Sequence, residues 1–166
     1  MTTSAELPQK KKGCKRRTCA VTSPCRGFCD TIRFTPHRRT PIYTKLLKAK
    51  IHQAVVTQTD LNYHGSITID TDLLKATGLV PNESVLIADC ENGNRFETYI
   101  IPGPAGSGVI GINGAAARLS NVGNRVIVMA FVEMEAEEIE RHVAKIIVCD
   151  KSNKIIERIE QKSTLR

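Results

Sequence analysis

Read for alternation of apolar and polar positions, the chain changes texture near residue 45. From Met1 to about Thr44, Lys, Arg, Thr, Pro and Cys dominate with no sustained period of two or of 3.6, as expected of a disordered segment. Short apolar runs begin at Leu46. KLLKAKIHQAVVTQTDL (45–61) predicts a strand, a polar turn and a return, with Val55 and Val56 buried. SITID (66–70) alternates as a strand, and Asp70-Thr71-Asp72 offers an N-cap to a helical turn that Gly78 stops. Pro81-Asn82 opens a turn. SVLIADCENGNRFETYIIPG (84–103) predicts two strands joined through Asn92-Gly93, a pair suited to the left-handed backbone of a tight hairpin. GVIGIN and NRVIVMAFVEM predict further strands, with NGAAARLSNVG between them as a short helix or close-packed turn. EAEEIERHV reads as a surface turn or helix. IIVCDKSNKIIERI predicts two short strands around Ser152-Asn153, and QKSTLR is expected to fray.

Many short strands with one or two small helices imply a mainly β, closed or nearly closed barrel, because open edges of this composition would aggregate. The length of 166 residues with 41% hydrophobic content allows one domain with a tail. Aromatics are only 4% and Trp is absent, so Ile, Val, Leu and Ala must fill the core. The net charge of +7 sits unevenly: residues 1–48 carry 12 Lys/Arg against 2 Asp/Glu, and the remainder 12 against 15. The basic balance therefore belongs to the tail, and no nucleic-acid partner is implied for the domain. No apolar run follows the charged N-terminus, so neither a secretory signal nor a membrane partner is expected. Cys90 and Cys149, isolated in the body, suit a cytoplasmic protein. Cys14, Cys19, Cys25 and Cys29 match the number of thiolates in a structural zinc site but lack paired C-x-x-C hooks, and no metal is expected in the body.

Alone, Gly65-Ser66 reads as a turn. It stands, however, in a series: Lys50-Ile-His52, Thr57 to Leu61, Tyr63-His64-Gly65-Ser66, Arg95-Phe-Glu-Thr98-Tyr99 and Asn113-Gly114-Ala115-Ala116-Ala117. In order and spacing this series resembles bacterial aspartate 1-decarboxylase from about Leu47 to Met134, fading toward the C-terminus. By composition, residues 1–45 are expected to form a basic, Cys-containing disordered extension. The resemblance implies a six-stranded double-psi β-barrel with short helices over 46–166. It also implies a homotetramer with active sites between subunits, matured with or without an accessory factor. The activity implied is conversion of L-aspartate to β-alanine and CO2 for pantothenate synthesis. Its cofactor is a pyruvoyl group derived from Ser66 by self-cleavage between 65 and 66, and that group forms a Schiff base with substrate.

Elementary chemistry is coherent with this. Glycine leaves its carbonyl open to the Ser66 hydroxyl, whose attack shifts the acyl group from nitrogen to oxygen. Elimination from the ester then leaves a dehydroalanine, which takes up water and loses ammonia to give a ketone. By resemblance Thr98 supplies a hydrogen bond to the charge developing on the Gly65 oxygen. Arg95 grips a carboxylate, Lys50 acts as a point charge, and Tyr99 returns a proton to the carbanion. Asn113, Gly114, Ala115 and Ala116 line the substrate, and His52 contacts substrate or orders the site. Without the family, each has an ordinary reading: Thr98 and Tyr99 as strand residues, Arg95 and Lys50 as solvated charges, the Asn113 segment as a packed turn, His52 as structural.

Two features depart from the family. Ala88 stands where members often carry a large aromatic in the pocket wall, and residues 1–45 have no counterpart, as a lineage-specific appendage or a misassigned start would explain. Two rival functions make different predictions. A nucleic-acid or zinc module using KKKGCKRR and PHRR predicts steep salt-dependent binding, against which stands the acidic body. A barrel unable to process predicts an uncut chain, against which stand Gly65, Ser66, Thr98 and Tyr99 together.

Overall fold

The computed structural model describes residues 40–164. The basic extension up to residue 39, its four cysteines and the last two residues of QKSTLR lie outside the described residues.

Alternation starts with β1 (Thr44–Val55), which buries Ala49, Ile51 and Ala54 on one face. The return strand expected within 45–61 does not form. β1 runs on through a bulge at Gln53 (φ 60°), and the next strand, β2 (Gln58–Asp60), pairs elsewhere. Both edges of β1 are occupied, by an antiparallel and a parallel neighbour, so a strand folding back would have no edge to join. β3 (Ser66–Asp70) leads into α1 (Thr71–Thr77); the Asp70 side chain accepts from the Asp72 amide at 2.8 Å, and Gly78 (φ 72°) ends the helix, both as the sequence predicts.

β4 (Ser84–Asp89) and β5 (Arg95–Gly103) form the expected hairpin around Asn92-Gly93, through a five-residue loop rather than a two-residue turn. Then come β6 (Ile110–Asn113), a 3-10 turn over Gly114–Arg118, β7 (Arg125–Met134), the short α2 (Ala136–Ile139), β8 (Val143–Cys149) and β9 (Ile155–Lys162). β9 still holds Gln161 and Lys162, which the sequence reading left to fray; they pair with Ala144 and Val143.

The described residues form nine strands in the order β2-β6-β3-β5-β4-β7-β1-β8-β9. The chain itself closes part of this sheet into a ring. The Val56 amide donates to Asn124 beside β7 at 2.9 Å, and the Thr57 amide donates to Ile110 of β6 at 2.8 Å. Counting β1 and β2 as one bent strand, the ring has six members, and β8–β9 is a hairpin added outside β1. Within it only β4 and β5 are neighbours both in sequence and in space, so the other connections cross between strands, as the expected double-psi topology requires. Ile51, Ile67, Ile87, Ile100, Ile112 and Val128, one from each ring strand, are all 0% exposed. Each such side chain contributes about 1.5–3 kcal/mol relative to an exposed one. Among the described residues no helix is long and apolar enough to cross a membrane.

One buried carboxylate ties the β4–β5 loop to the approach of β7. Asp89, 2% exposed, accepts from Ser120 Oγ (2.6 Å), Asn124 Nδ2 (2.7 Å) and the Glu91 amide (2.8 Å). Burial alone would push its carboxyl up, but hydrogen bonds from Asn124, Ser120 and the Glu91 and Asn92 amides outweigh this and hold it below the ordinary 3.8. Asp89→Asn should cost about 1–3 kcal/mol at neutral pH, the range for buried partners left unsatisfied. Because the folded-state value is depressed, the carboxylate's contribution is complete above the unfolded value and lost as pH falls through the folded one. The difference in melting temperature between wild type and Asp89→Asn should therefore narrow as pH falls below 3.8. A constant difference from neutral to strongly acidic pH would rule out a role for the charge.

Candidate active site

Ser66 opens β3 and is 0% exposed, while Gly65 before it is exposed. Period two places Ile67 and Ile69 in the core and Ser66, Thr68 and Asp70 on the opposite face. Across the antiparallel ladder Ser66 faces Asn113, itself 3% exposed. The Asn113 Nδ2 donates to Ser66 Oγ at 2.9 Å and to Thr68 Oγ1 at 3.0 Å, and Ser66 Oγ donates a long 3.4 Å bond to the His64 carbonyl. Gly114 (φ 68°) then turns the chain hard against the junction. A Cβ there would lie 2.7 Å from Gly65 Cα, 2.9 Å from Gly65 N and 3.1 Å from Tyr63 O, so glycine is required by both conformation and space. Of the three alanines that follow, Ala115 is exposed, Ala116 packs half-buried on the core and Ala117 is half-buried.

β5 runs parallel to β3 with Ile67 opposite Ile100, which brings Thr98 and Tyr99 alongside the start of β3. Thr98 shares the inward side of β5 with Phe96 and Ile100. Arg95 and Tyr99 point the other way and are exposed, Tyr99 at 39%. Gly65, Ser66, Thr98, Tyr99, Asn113 and Gly114 thus form one neighbourhood.

Lys50 and His52 lie elsewhere, on the outward face of β1. The ladder runs from Lys50 through Met129 and Leu86 to Glu97, so β7 and β4 intervene before β5. Three strand spacings amount to about 14 Å, and within one chain Lys50 and His52 do not meet Arg95 and Tyr99. Ala88 lies opposite Arg95, half-buried, leaving no bulky side chain at that place. Among the described residues His52 Nδ1 is the buried side-chain nitrogen or oxygen without a hydrogen-bond partner. Burial, and secondarily the Lys50 charge, lower the His52 pKa from its ordinary 6.5 and keep the ring neutral.

Sequence reading missed Thr68. The signal was its place two residues after Ser66 on the same strand face, but its partner, Asn113, is set by ladder register. A cleft of about 550 Å³ opens beside the junction, with Asp60, Tyr63, Thr68, Pro102 and Asn113 in its wall. Another cavity, about 430 Å³, lies at the far end of β3 between Asp70, Gly106 and Asn153. Its polar groups are engaged structurally: Asp70 accepts from the Gly106 and Gly108 amides, and Asn153 bridges Val55 and Gly108. The Lys50–His52 coupling is directly measurable. In an NMR titration His52 should titrate below 6.5, and Lys50→Gln should raise its midpoint without restoring the ordinary value, since burial persists. An unchanged midpoint would exclude electrostatic contact between the two.

A family model described as aspartate decarboxylase matches residues 42–156. The chain is 50% identical over 115 residues to an aspartate 1-decarboxylase of Carboxydothermus hydrogenoformans, covering 69% of this chain and 91% of the relative. It is 52% identical over 111 residues to that of Maricaulis maris, covering 67% and 92%. For that of Staphylococcus aureus the figures are 51% over 117 residues, covering 70% and 92%. The rationally designed mkDPBB_sym_86 protein aligns at TM-score 0.37 and 10% identity, over 49% of this chain and 94% of its own, a likeness too loose to bear on the fold. With well over half of the chain inside the family match and half of the aligned positions identical along nearly the full length of these relatives, the chain belongs to the aspartate decarboxylase family.

Proposed function

We propose that this chain converts L-aspartate to β-alanine and CO2, using a pyruvoyl group that it makes from its own Ser66. The observation that carries the reading is a fully buried serine hydroxyl, held by Asn113 and preceded by a glycine on which Gly114 closes. These residues fit the group: the hydroxyl is next to the carbonyl it must attack, and glycines at 65 and 114 keep Cβ atoms out of the way.

In this reading Ser66 Oγ attacks the Gly65 carbonyl carbon. The bond to the Ser66 nitrogen breaks, the nitrogen takes up the proton, and an ester joins the two segments. Thr98, beside the junction on β5, donates to the oxygen that carries the developing charge. Loss of the Ser66 α-proton and cleavage of Cβ–Oγ releases Gly65 as a carboxylate. Uptake of water and loss of ammonia leave a ketone at residue 66. Once formed, the pyruvoyl group supplies the electron sink for decarboxylation.

The remaining roles fall to residues that bind and move protons. Arg95 holds a substrate carboxylate through two parallel hydrogen bonds and Lys50 balances the other charge. Tyr99 delivers the proton that replaces CO2. Asn113, Gly114, Ala115 and Ala116 form a small, polar wall, and His52 orders the region around Lys50. Since Lys50 and His52 stand three strand spacings away from Arg95 and Tyr99, a complete site needs a second chain, and we assign the protein to a homotetramer with shared sites. Exposed Tyr99 and Phe131, at 39% and 38%, support an apolar contact on that face. The barrel domain begins near residue 46, after an extension with no part in the chemistry, and its product feeds pantothenate synthesis in the cytoplasm.

Intact mass of the purified chain tests the self-processing. Fragments 1–65 and 66–166 are expected, the second lighter than a serine-ended chain by one ammonia. Ser66→Ala should yield one uncut mass and no decarboxylation. Activity in Ser66→Ala, or decarboxylation by a wild-type chain that stays uncut, would defeat the reading.

A further inference from the structure

We propose that Thr68 is a positioning residue for self-cleavage, acting through Asn113 on the oxygen of Ser66; the inference rests on the self-processing reading above. In the β3–β6 ladder Ser66 is opposite Asn113 and Thr68 is opposite Gly111. Gly111 has no side chain to fill the space facing Thr68, and a Cβ there would lie 2.8 Å from Gln58 Nε2. The Asn113 amide therefore reaches both its direct partner and its diagonal one, 2.9 Å from Ser66 Oγ and 3.0 Å from Thr68 Oγ1. Its two N–H groups match the two hydroxyl acceptors. Thr68 fixes the second N–H, and this holds the amide plane so that the first stays aimed at Ser66 Oγ.

The aim matters most in the second half of the reaction. When Ser66 Oγ attacks, a hydrogen bond donated to it does not help, because that bond occupies a lone pair. When the Cβ–Oγ bond breaks, the electron pair stays with Oγ, which leaves as part of the Gly65 carboxylate. A donor fixed on Oγ stabilises that charge as it forms. Thr68 thus speeds release of the 1–65 segment from the ester, while the Ser66 α-proton departs to solvent or a nearby base and no further reactant is needed.

The test compares wild type with Thr68→Val, Thr68→Ala and Thr68→Ser, following fragment release by intact mass in the full-length chain. Val keeps the β-branched shape and loses the acceptor, Ala loses both, and Ser keeps the hydroxyl. Release should slow roughly five- to tenfold in Val and Ala, the effect of one lost hydrogen bond, and stay within about twofold of wild type in Ser. Uncut Val and Ala chains should also hold a larger fraction that hydroxylamine splits at residue 65, the mark of accumulated ester. Should Thr68→Val fail to fold, Thr68→Ala carries the comparison. Wild-type release rates in Val and Ala, or a Ser variant as slow as they are, would overturn the role of Thr68 and leave the self-processing reading intact. A wild-type chain that decarboxylates without splitting would overturn that reading, and this inference with it.

Discussion

The arrangement depends on a single change of partner in the backbone ladder. At Val56 the chain still follows β7, through the bond to Asn124; at Thr57 it follows β6, through the bond to Ile110. Thr57 secures the crossing twice more, since its Oγ1 accepts from the Ile110 amide and donates to the Ile110 carbonyl. This step converts a sheet into a ring, and the ring encloses a core of branched aliphatic residues without help from Trp. It also decides what lies beside β3. With β6 held by β2 on one edge, its other edge is free to pair with β3, and that pairing sets Asn113 opposite Ser66. The neighbourhood of Gly65-Ser66 is a consequence of barrel closure.

In the proposed reaction, two kinds of chemistry are spatially divided on this scaffold. The groups around Gly65-Ser66 are uncharged, with Ser66, Asn113 and Gly114 buried, and they gather within a single chain. Lys50 and Arg95 face outward from strands separated by two others. The division has a physical logic. Cleavage of a peptide bond by its neighbouring serine needs fixed geometry and no diffusing reactant, which a rigid strand end provides. Recognition of a dianionic, diffusing substrate needs cations that remain hydrated until it arrives, because burying unpaired charge costs several kcal/mol.

Much of this was legible in the sequence wherever the determinant was local. Asp70 capping α1, Gly78 ending it and the Asn92-Gly93 hairpin follow from backbone preferences of a few residues. The return expected within 45–61 fails because the two occupied edges of β1 leave a returning strand nothing to pair with, and those edges are invisible locally; Gln53 absorbs the irregularity as a bulge. Register was beyond reach for the same reason. Nothing local says that Thr68 faces a glycine or that Lys50 aligns with Glu97, since both follow from pairings across dozens of residues. The family resemblance located Gly65, Ser66, Thr98, Tyr99 and Asn113 as a group, whereas the separation of Lys50 from Arg95 emerged only with the ladder.

His52 gives that separation an energetic sense. A half-buried imidazole with an unpartnered Nδ1 is a cost the fold does not offset within one chain. Protonation would not relieve it, because burial and the neighbouring Lys50 both oppose a second positive charge there. The ring is thus neutral at physiological pH, and the charge beside it is that of Lys50, since Lys48 on the same strand is paired with Glu83 at 2.6 Å. On the proposed reading, a substrate with two carboxylates meets one cation from β1 and one from β5, and a neutral His52 adds no further positive charge beside Lys50. If a second chain brings Arg95 to Lys50, as that reading has it, the surface that covers Lys50 would also lie over the neighbouring Nδ1 on β1, so completing the site and satisfying that atom would be one requirement rather than two.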